Sequence, residues 1–361
     1  MKSFNEVFED KTKYGTKIKT SEYCEMGAHL IIDQGQEQVA GYTDIEEGVF
    51  EEVPVIIFGD HTRVIKYVDK PFFLGADGVK VLRSKFKNAN YKYLYYALKN
   101  ARIPNTGYNR HFKWLKEVQI EYPDYRRQEN VVKILDKVSD LIETRQHEIK
   151  RLDDLIKARF VEMFGNESKR VAVSSVCDVS GGYSFKSGDI SSNGVVKILQ
   201  IGNVYLDDLN WETTNYLPEG FDYAYSGFLL NEGDVVIALT RPIIKALGNV
   251  KACIVKESDM PCLLNQRVGR IVPKQNVDVS MKFVYRCFMT DDFTRYVESC
   301  CIGCSQPNIS TKDIENYMIP DISYAEQMTF VKFIDQVDKS KLMFQKLHQK
   351  LNILQQKAGD I

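Results

Sequence analysis

The sequence predicts a mixed α/β (α+β) protein: two tandem globular domains, each followed by a long helix, with the helices packed as an antiparallel coiled coil of pseudo-two-fold symmetry. Three observations predict it. A segment recurs at one fixed shift, both copies carry apolar residues at heptad spacing, and the stretches between hold short β-rich runs bounded by Gly, Asp and Pro. The expected boundaries are 1–125 for the first domain, 126–164 for its helix, 165–322 for the second domain and 323–361 for its helix.

The recurrence sets Gln128-Glu-Asn-Val-Val-Lys-Ile-Leu-Asp-Lys-Val138 against Gln327-Met-Thr-Phe-Val-Lys-Phe-Ile-Asp-Gln-Val337, a shift of 199. The same shift pairs Leu115 with Ile314, Ile120 with Ile319, Leu152 with Leu351 and Leu155 with Leu354. In the first copy Leu135, Val138, Ile142, Arg145, Ile149, Leu152 and Ile156 step alternately by three and four, a seam with one polar intruder. In the second, Ile334, Val337, Lys341 and Phe344 lead to Leu347, Leu351 and Leu354. Pro123 and Pro320 stand shortly before the two helices, and no Gly or Pro interrupts either until Gly165 and Gly359. The domains supply Val53–Phe58, Val235–Leu239 and Val268–Val272 as strands, and Tyr91–Lys99 and Met281–Phe288 as helical stretches.

The net charge of −1 conceals a repeated pattern. Residues 1–60 hold 5 Lys/Arg and 13 Asp/Glu, whereas residues 61–113 hold 12 Lys/Arg and 2 acids. Residues 205–234 then hold 7 acids and no Lys/Arg, and residues 241–286 hold 9 bases and 3 acids. Each domain thus offers one basic segment to a polyanion such as nucleic acid. No run of about 18 apolar residues and no apolar signal core is present, so a cytoplasmic protein is expected. The 8 cysteines form no disulfide framework, and Cys300, Cys301 and Cys304 lack the second pair a zinc site needs. No metal is expected.

Enzyme signatures are missing. There is no G-x-x-x-x-G-K-[ST] loop, no G-x-G-x-x-G, no Asn/Asp-Pro-Pro-aromatic run, and the 5 histidines show no ligand spacing. No catalytic residue is assigned and no cofactor is expected on this chain. Duplex reading, by contrast, needs Arg or Lys for guanine and Asn or Gln for adenine, displayed on loops at rigid strand ends. Such residues follow apolar strands in both halves: His61, Thr62, Arg63 and Lys66 in one, Thr240 and Arg241 in the other. Gln34 and Gln200 sit in the similar elements Ile31–Gly35 and Ile198–Gly202. Gln266, Arg267, Tyr108, Arg110, His111, Gln306 and Asn308 complete the polar set. A coiled-coil scaffold with basic protein-binding patches is the alternative reading.

Gly-Asp-His-Thr-Arg at 59–63, Gly-Gly-Tyr-Ser-Phe-Lys-Ser-Gly at 181–188 and Gly-Cys-Ser-Gln-Pro-Asn-Ile-Ser at 303–310, in a domain–helix–domain–helix order, resemble type I restriction-modification specificity subunits. The resemblance runs over nearly the whole chain. It implies that the domains are target recognition domains, each reading half of a split, asymmetric duplex site, and that the helices are conserved spacers. It further implies two modification subunits holding S-adenosylmethionine, and restriction subunits using ATP and Mg, joined through them. DNA contact carries over to Thr62, Arg63, Phe185, Lys186, Thr240, Arg241, Gln306 and Asn308. The first domain shows no clear equivalent of the 181–188 stretch.

Overall fold

The computed structural model describes residues 1–75, 77–107, 109–244, 247–301 and 307–359. It divides into two compact units, Met1–Ile149 with Met343–Ile361, and Lys150–Leu342. The division passes through both long helices in mid-length.

In the first unit an antiparallel sheet runs Phe8–Asp10, Val79–Ser84, Val55–Gly59, Ile65–Val68. A second sheet orders Gly41–Thr43, His29–Ile32 and Phe72–Leu74, the last two parallel. Strand Val55–Gly59 is buried throughout because it has a core on each face. Its alternate side chains Ile56 and Phe58 join Leu82, Leu94 and Leu98 under the helix Tyr91–Lys99, while Val55 and Ile57 join Ile32, Phe72 and Val81. That two-sided burial explains the unbroken apolar run in the sequence. Asn90 caps the helix by accepting from the Tyr93 amide at 3.0 Å.

The second unit repeats the plan. Its larger sheet runs Cys177–Gly181, Val268–Pro273, Val235–Ala238, Ala252–Ile254, and its smaller one Asn215–Leu217, Val196–Leu199, Cys262–Leu264. Met281–Phe288 takes the place of Tyr91–Lys99, and a short ribbon precedes each long helix: Lys2–Ser3 with Gln119–Ile120, and Arg170–Ala172 with Met318–Pro320. The second unit adds a hairpin, Ile243–Ile244 with Asn249–Val250, and the helix Asp291–Cys300.

The long helices span Tyr125–Phe164 and Tyr324–Gly359. Asp124 accepts from the Arg127 amide at 3.0 Å at the first start, and Ser323 and Glu326 form a reciprocal cap at the second. Gln128 and Gln327, paired by the 199 shift, turn back to the carbonyls of Pro123 (2.8 Å) and Ile322 (3.2 Å). The helices pair antiparallel. In the first unit Gln355 donates to Ser139 at 2.8 Å and Arg145 stacks its guanidinium 5.3 Å from the Phe344 ring. In the second, Phe160 and Phe164 meet Phe330, while Lys341 reaches Asp153 at 2.6 Å. Leu135, Ile156, Ile334, Val337 and Leu351 are buried, and Val138, Ile142, Ile149, Leu152 and Phe344 are half-buried.

Leu347 and Leu354 do not belong to this seam: they are 39% and 54% exposed. Three-four stepping onward from Phe344 lands on His348, Leu351 and Gln355, all turned inward. Register, not hydrophobicity, selects the residues that face a partner helix. Among the described residues, no helix is long and apolar enough to cross a membrane, and no group of His, Cys, Asp or Glu comes together as a metal site. Cys177, Cys253, Cys262 and Cys287 are buried free thiols. Burial pushes the Cys177 and Cys262 thiols up to about 12.

Candidate nucleic-acid interface

In the first unit the loop from strand Val55–Gly59 to strand Ile65–Val68 presents His61, Thr62 and Arg63. It closes on itself, the Arg63 amide donating to the Gly59 carbonyl at 2.7 Å, with Arg63 at φ 61°. A side chain at Gly59 would stand 2.2 Å from Thr62 Oγ1, so only glycine lets the loop fold this tightly. Gln34 braces it: the side-chain oxygen accepts from the His61 amide (3.1 Å), the side-chain nitrogen donates to the Asp77 carbonyl (2.9 Å), and the Gln34 carbonyl accepts from Thr62 Oγ1 (2.6 Å). Both ends of the Gln34 amide are thus committed to backbone.

Asp60, 5% exposed, fastens the loop to the segment ahead of the long helix. Its carbonyl accepts from the His111 amide at 2.7 Å and its carboxylate from the Phe112 amide at 2.7 Å. His111 is fully buried, with Nδ1 3.0 Å from the same carbonyl, and Lys66 is 2% exposed with its ammonium on the Glu37 carbonyl at 2.5 Å. Burial lowers the Lys66 pKa against the opposing pull of Asp33. These two residues, singled out as DNA contacts on the sequence, are corrected to internal struts, because no ligand surface reaches them. Thr62 and Arg110 are exposed, and His61 and Arg63 half-buried. The Arg63 guanidinium donates to the Ile103 carbonyl at 3.3 Å.

The second unit builds the same place from other residues. Arg241 has φ 48°, and its amide donates to the Pro307 carbonyl at 2.8 Å. Thr240 bridges to Asn308, and the Leu239 amide donates to the Arg267 carbonyl at 2.9 Å. Elements far apart in sequence, carrying Thr240, Arg241, Gln266, Arg267 and Asn308, thus meet at one sheet edge. Arg241, Gln266, Arg267 and Asn308 are exposed there. The Gln200 side-chain oxygen accepts from the Asn215 side-chain nitrogen at 2.7 Å, a contact within its own domain. Phe185, 7% exposed, belongs to an aromatic cluster with Tyr183 and Tyr225, whereas Lys186 beside it is exposed. Tyr108 and Gln306 lie outside the described residues.

Structure also supplies the first-domain counterpart of Phe185-Lys186. Ile18 is buried and Lys19 exposed, and Lys19 precedes the turn Thr20–Glu22 as Lys186 precedes Ser187–Asp189. Sequence missed it because Ile18-Lys19 and Phe185-Lys186 share only one residue type.

The type I restriction modification DNA specificity domain matches residues 1–153 and again 166–355. The chain belongs to that family. It is 30% identical over 319 residues to the specificity subunit of the MjaVIII type I restriction enzyme of Methanocaldococcus jannaschii, covering 81% of this chain and 74% of that one. To the EcoR124I/EcoR124II specificity subunit of Escherichia coli it is 23% identical, covering 92% and 84%. The fold is that of the type I restriction-modification S subunit from M. genitalium, at TM-score 0.56 and 16% identity over 99% of this chain and 94% of that chain. A second type I chain, solved in work on complex assembly and conformational transition, matches at TM-score 0.52 and 16% identity over 99% and 94%. The chain is therefore a type I restriction-modification specificity subunit with two family domains in tandem.

Proposed function

We propose that this specificity subunit reads a split, asymmetric duplex site, residues 1–125 acting as one target recognition domain and 165–322 as the other. The observation that carries this reading is the strand-exit Thr-Arg pair built twice on one backbone plan and surrounded by different side chains. The Arg63 loop is braced by Gln34 and Asp60, and the Arg241 loop by Pro307 and Asn308. Equal scaffolds with unequal side chains suit two unlike half-sites. Thr62, Arg63 and Arg110, and Arg241, Gln266, Arg267 and Asn308, supply the base and phosphate contacts.

The chain does no chemistry in this reading. Two modification subunits holding S-adenosylmethionine dock on it, restriction subunits using ATP and Mg join through them, and the assembly works in the cytoplasm. Docking is supported by apolar side chains outside the seam. Ile134, Leu141 and Leu155, at heptad-related positions of the first long helix, are 57%, 44% and 47% exposed.

Expression with its partners, followed by genome-wide mapping of methylated adenines, tests the reading. A two-part motif with an unread gap is expected, and methylation without any sequence preference would refute it. Binding by the assembled complex should also fall steeply between about 50 and about 200 mM salt, which separates a DNA reader from a protein scaffold.

A further inference from the structure

Each domain rests one helix on a long helix through a matched pair of contacts. In the first unit Lys92 reaches Asp136 at 2.7 Å, and the Tyr96 hydroxyl stands 2.7 Å from Asp136 and 3.3 Å from Ser139. In the second, Lys282 reaches Asp335 at 2.5 Å, and Arg286 lies 3.9 Å from Asp338. Asp136 and Ser139 correspond to Asp335 and Asp338 at the 199 shift that relates the long helices. A neutral hydroxyl pair in one domain is thus an ion pair in the other.

Among the described residues, only the second domain extends this contact. The connection between strands Val196–Leu199 and Asn215–Leu217 runs from residue 200 to 214, against 33 to 40 between His29–Ile32 and Gly41–Thr43 in the first. Bridges from Val204 to Leu209 and from Leu206 to Ala252 pin the longer loop, and Asp207 projects from it at φ 62°. Its carboxylate accepts from the Tyr285 hydroxyl at 2.6 Å and lies 3.7 Å from Arg286 and 3.8 Å from Lys341. Lys341 in turn reaches Asp153 on the other long helix at 2.6 Å. One loop carboxylate therefore ties the domain to both helices, through cations whose side chains are only 16% exposed.

We infer that Asp207 is a positioning residue of the second domain: by gripping Arg286 and Lys341 it fixes that domain on the paired helices, and so fixes the gap between half-sites that the complex accepts. The inference rests on the two-site reading above. Among the described residues, the first domain has no counterpart of this clamp.

The test uses the chain assembled with its partners and duplexes carrying the half-sites that the wild-type complex selects, with the gap stepped one base pair at a time. Asp207→Lys should flatten the gap preference by roughly tenfold, within the coupling that charge networks reach, and leave the preferred half-site bases unchanged. Asp207→Glu should restore the preference. If Asp207→Lys does not assemble, Asp207→Asn in an assembled complex decides by the same readout. An unchanged gap profile overturns the clamp, and so do altered half-site bases, which would make Asp207 a base reader. A wild-type complex with no two-part preference overturns the two-site reading itself, and the clamp with it.

Discussion

Arg63 and Arg241 occupy matching strand exits in the two domains, and both hold a left-handed backbone, φ 61° and 48°. That conformation costs a residue with a Cβ on the order of 1–2 kcal/mol. Asn or Gly would adopt it more easily, yet both positions carry arginine. The same strain at equivalent points of a duplicated plan makes these two arginines the first side chains to test.

Replacing Arg63 or Arg241 by alanine keeps the strain and removes the guanidinium. Each substitution should weaken specific binding by about 1–3 kcal/mol if the arginine grips a base edge. Selection of bound duplexes from a randomised pool should show Arg63→Ala relaxing one half-site and Arg241→Ala the other. Identical binding of cognate and scrambled duplex by wild type and variants alike would remove both residues from the reading surface.

Leu152 lies in the seam of the paired helices, half-buried and packed toward the second domain's core. Leu152→Asp places an unpaired carboxylate there, at a cost of about 1–3 kcal/mol or more. Co-purification with the modification subunits should fail before the domains themselves unfold. Normal co-elution would show that helix pairing is not required for docking.

Asp60 makes two backbone contacts that join the Arg63 loop to His111 and Phe112. Asp60→Ala leaves the Phe112 amide without a partner, and about 1–3 kcal/mol of stability should be lost. Denaturant unfolding reads that loss. Asp60→Asn, which keeps an acceptor, should recover most of it, and equal losses in the two variants would mean that the contact is unimportant.

The Ser323 hydroxyl and amide hold the Glu326 carboxyl below the ordinary carboxylate range. A depressed acid stabilises the folded state above its unfolded pKa, and that stability is lost as pH falls through the folded value. Relative to its intrinsic rate, amide exchange in the first turn of Tyr324–Gly359 should therefore quicken on acidification below about pH 4.5. The Glu326→Gln chain should show less of this pH dependence. An equal acceleration in both chains would assign the effect to another group.

The repeat itself was legible in the sequence, because a duplicated helix must keep the same residues facing the same neighbours. Gln128 and Gln327 show it, each bonding the carbonyl five residues earlier. Strand Val55–Gly59 was legible as well, since burial on both faces leaves an unbroken apolar run. Leu347 and Leu354 lie off the seam although their spacing suggests it, because the partner helix's register decides which leucines face it.

What the sequence by itself determined was the order of elements, the heptad pairing and the family, all of which rest on local spacing and repetition. Only the tertiary structure decided which polar groups face solvent. Lys66 and His111 look like DNA contacts in the chain but are enclosed by backbone that returns from Glu37 and Asp60. Likewise Thr240, Arg267 and Asn308 stand far apart in the chain and meet at one sheet edge. Such meetings depend on strand order and loop closure, which are long-range contacts, and no local pattern of residues encodes them.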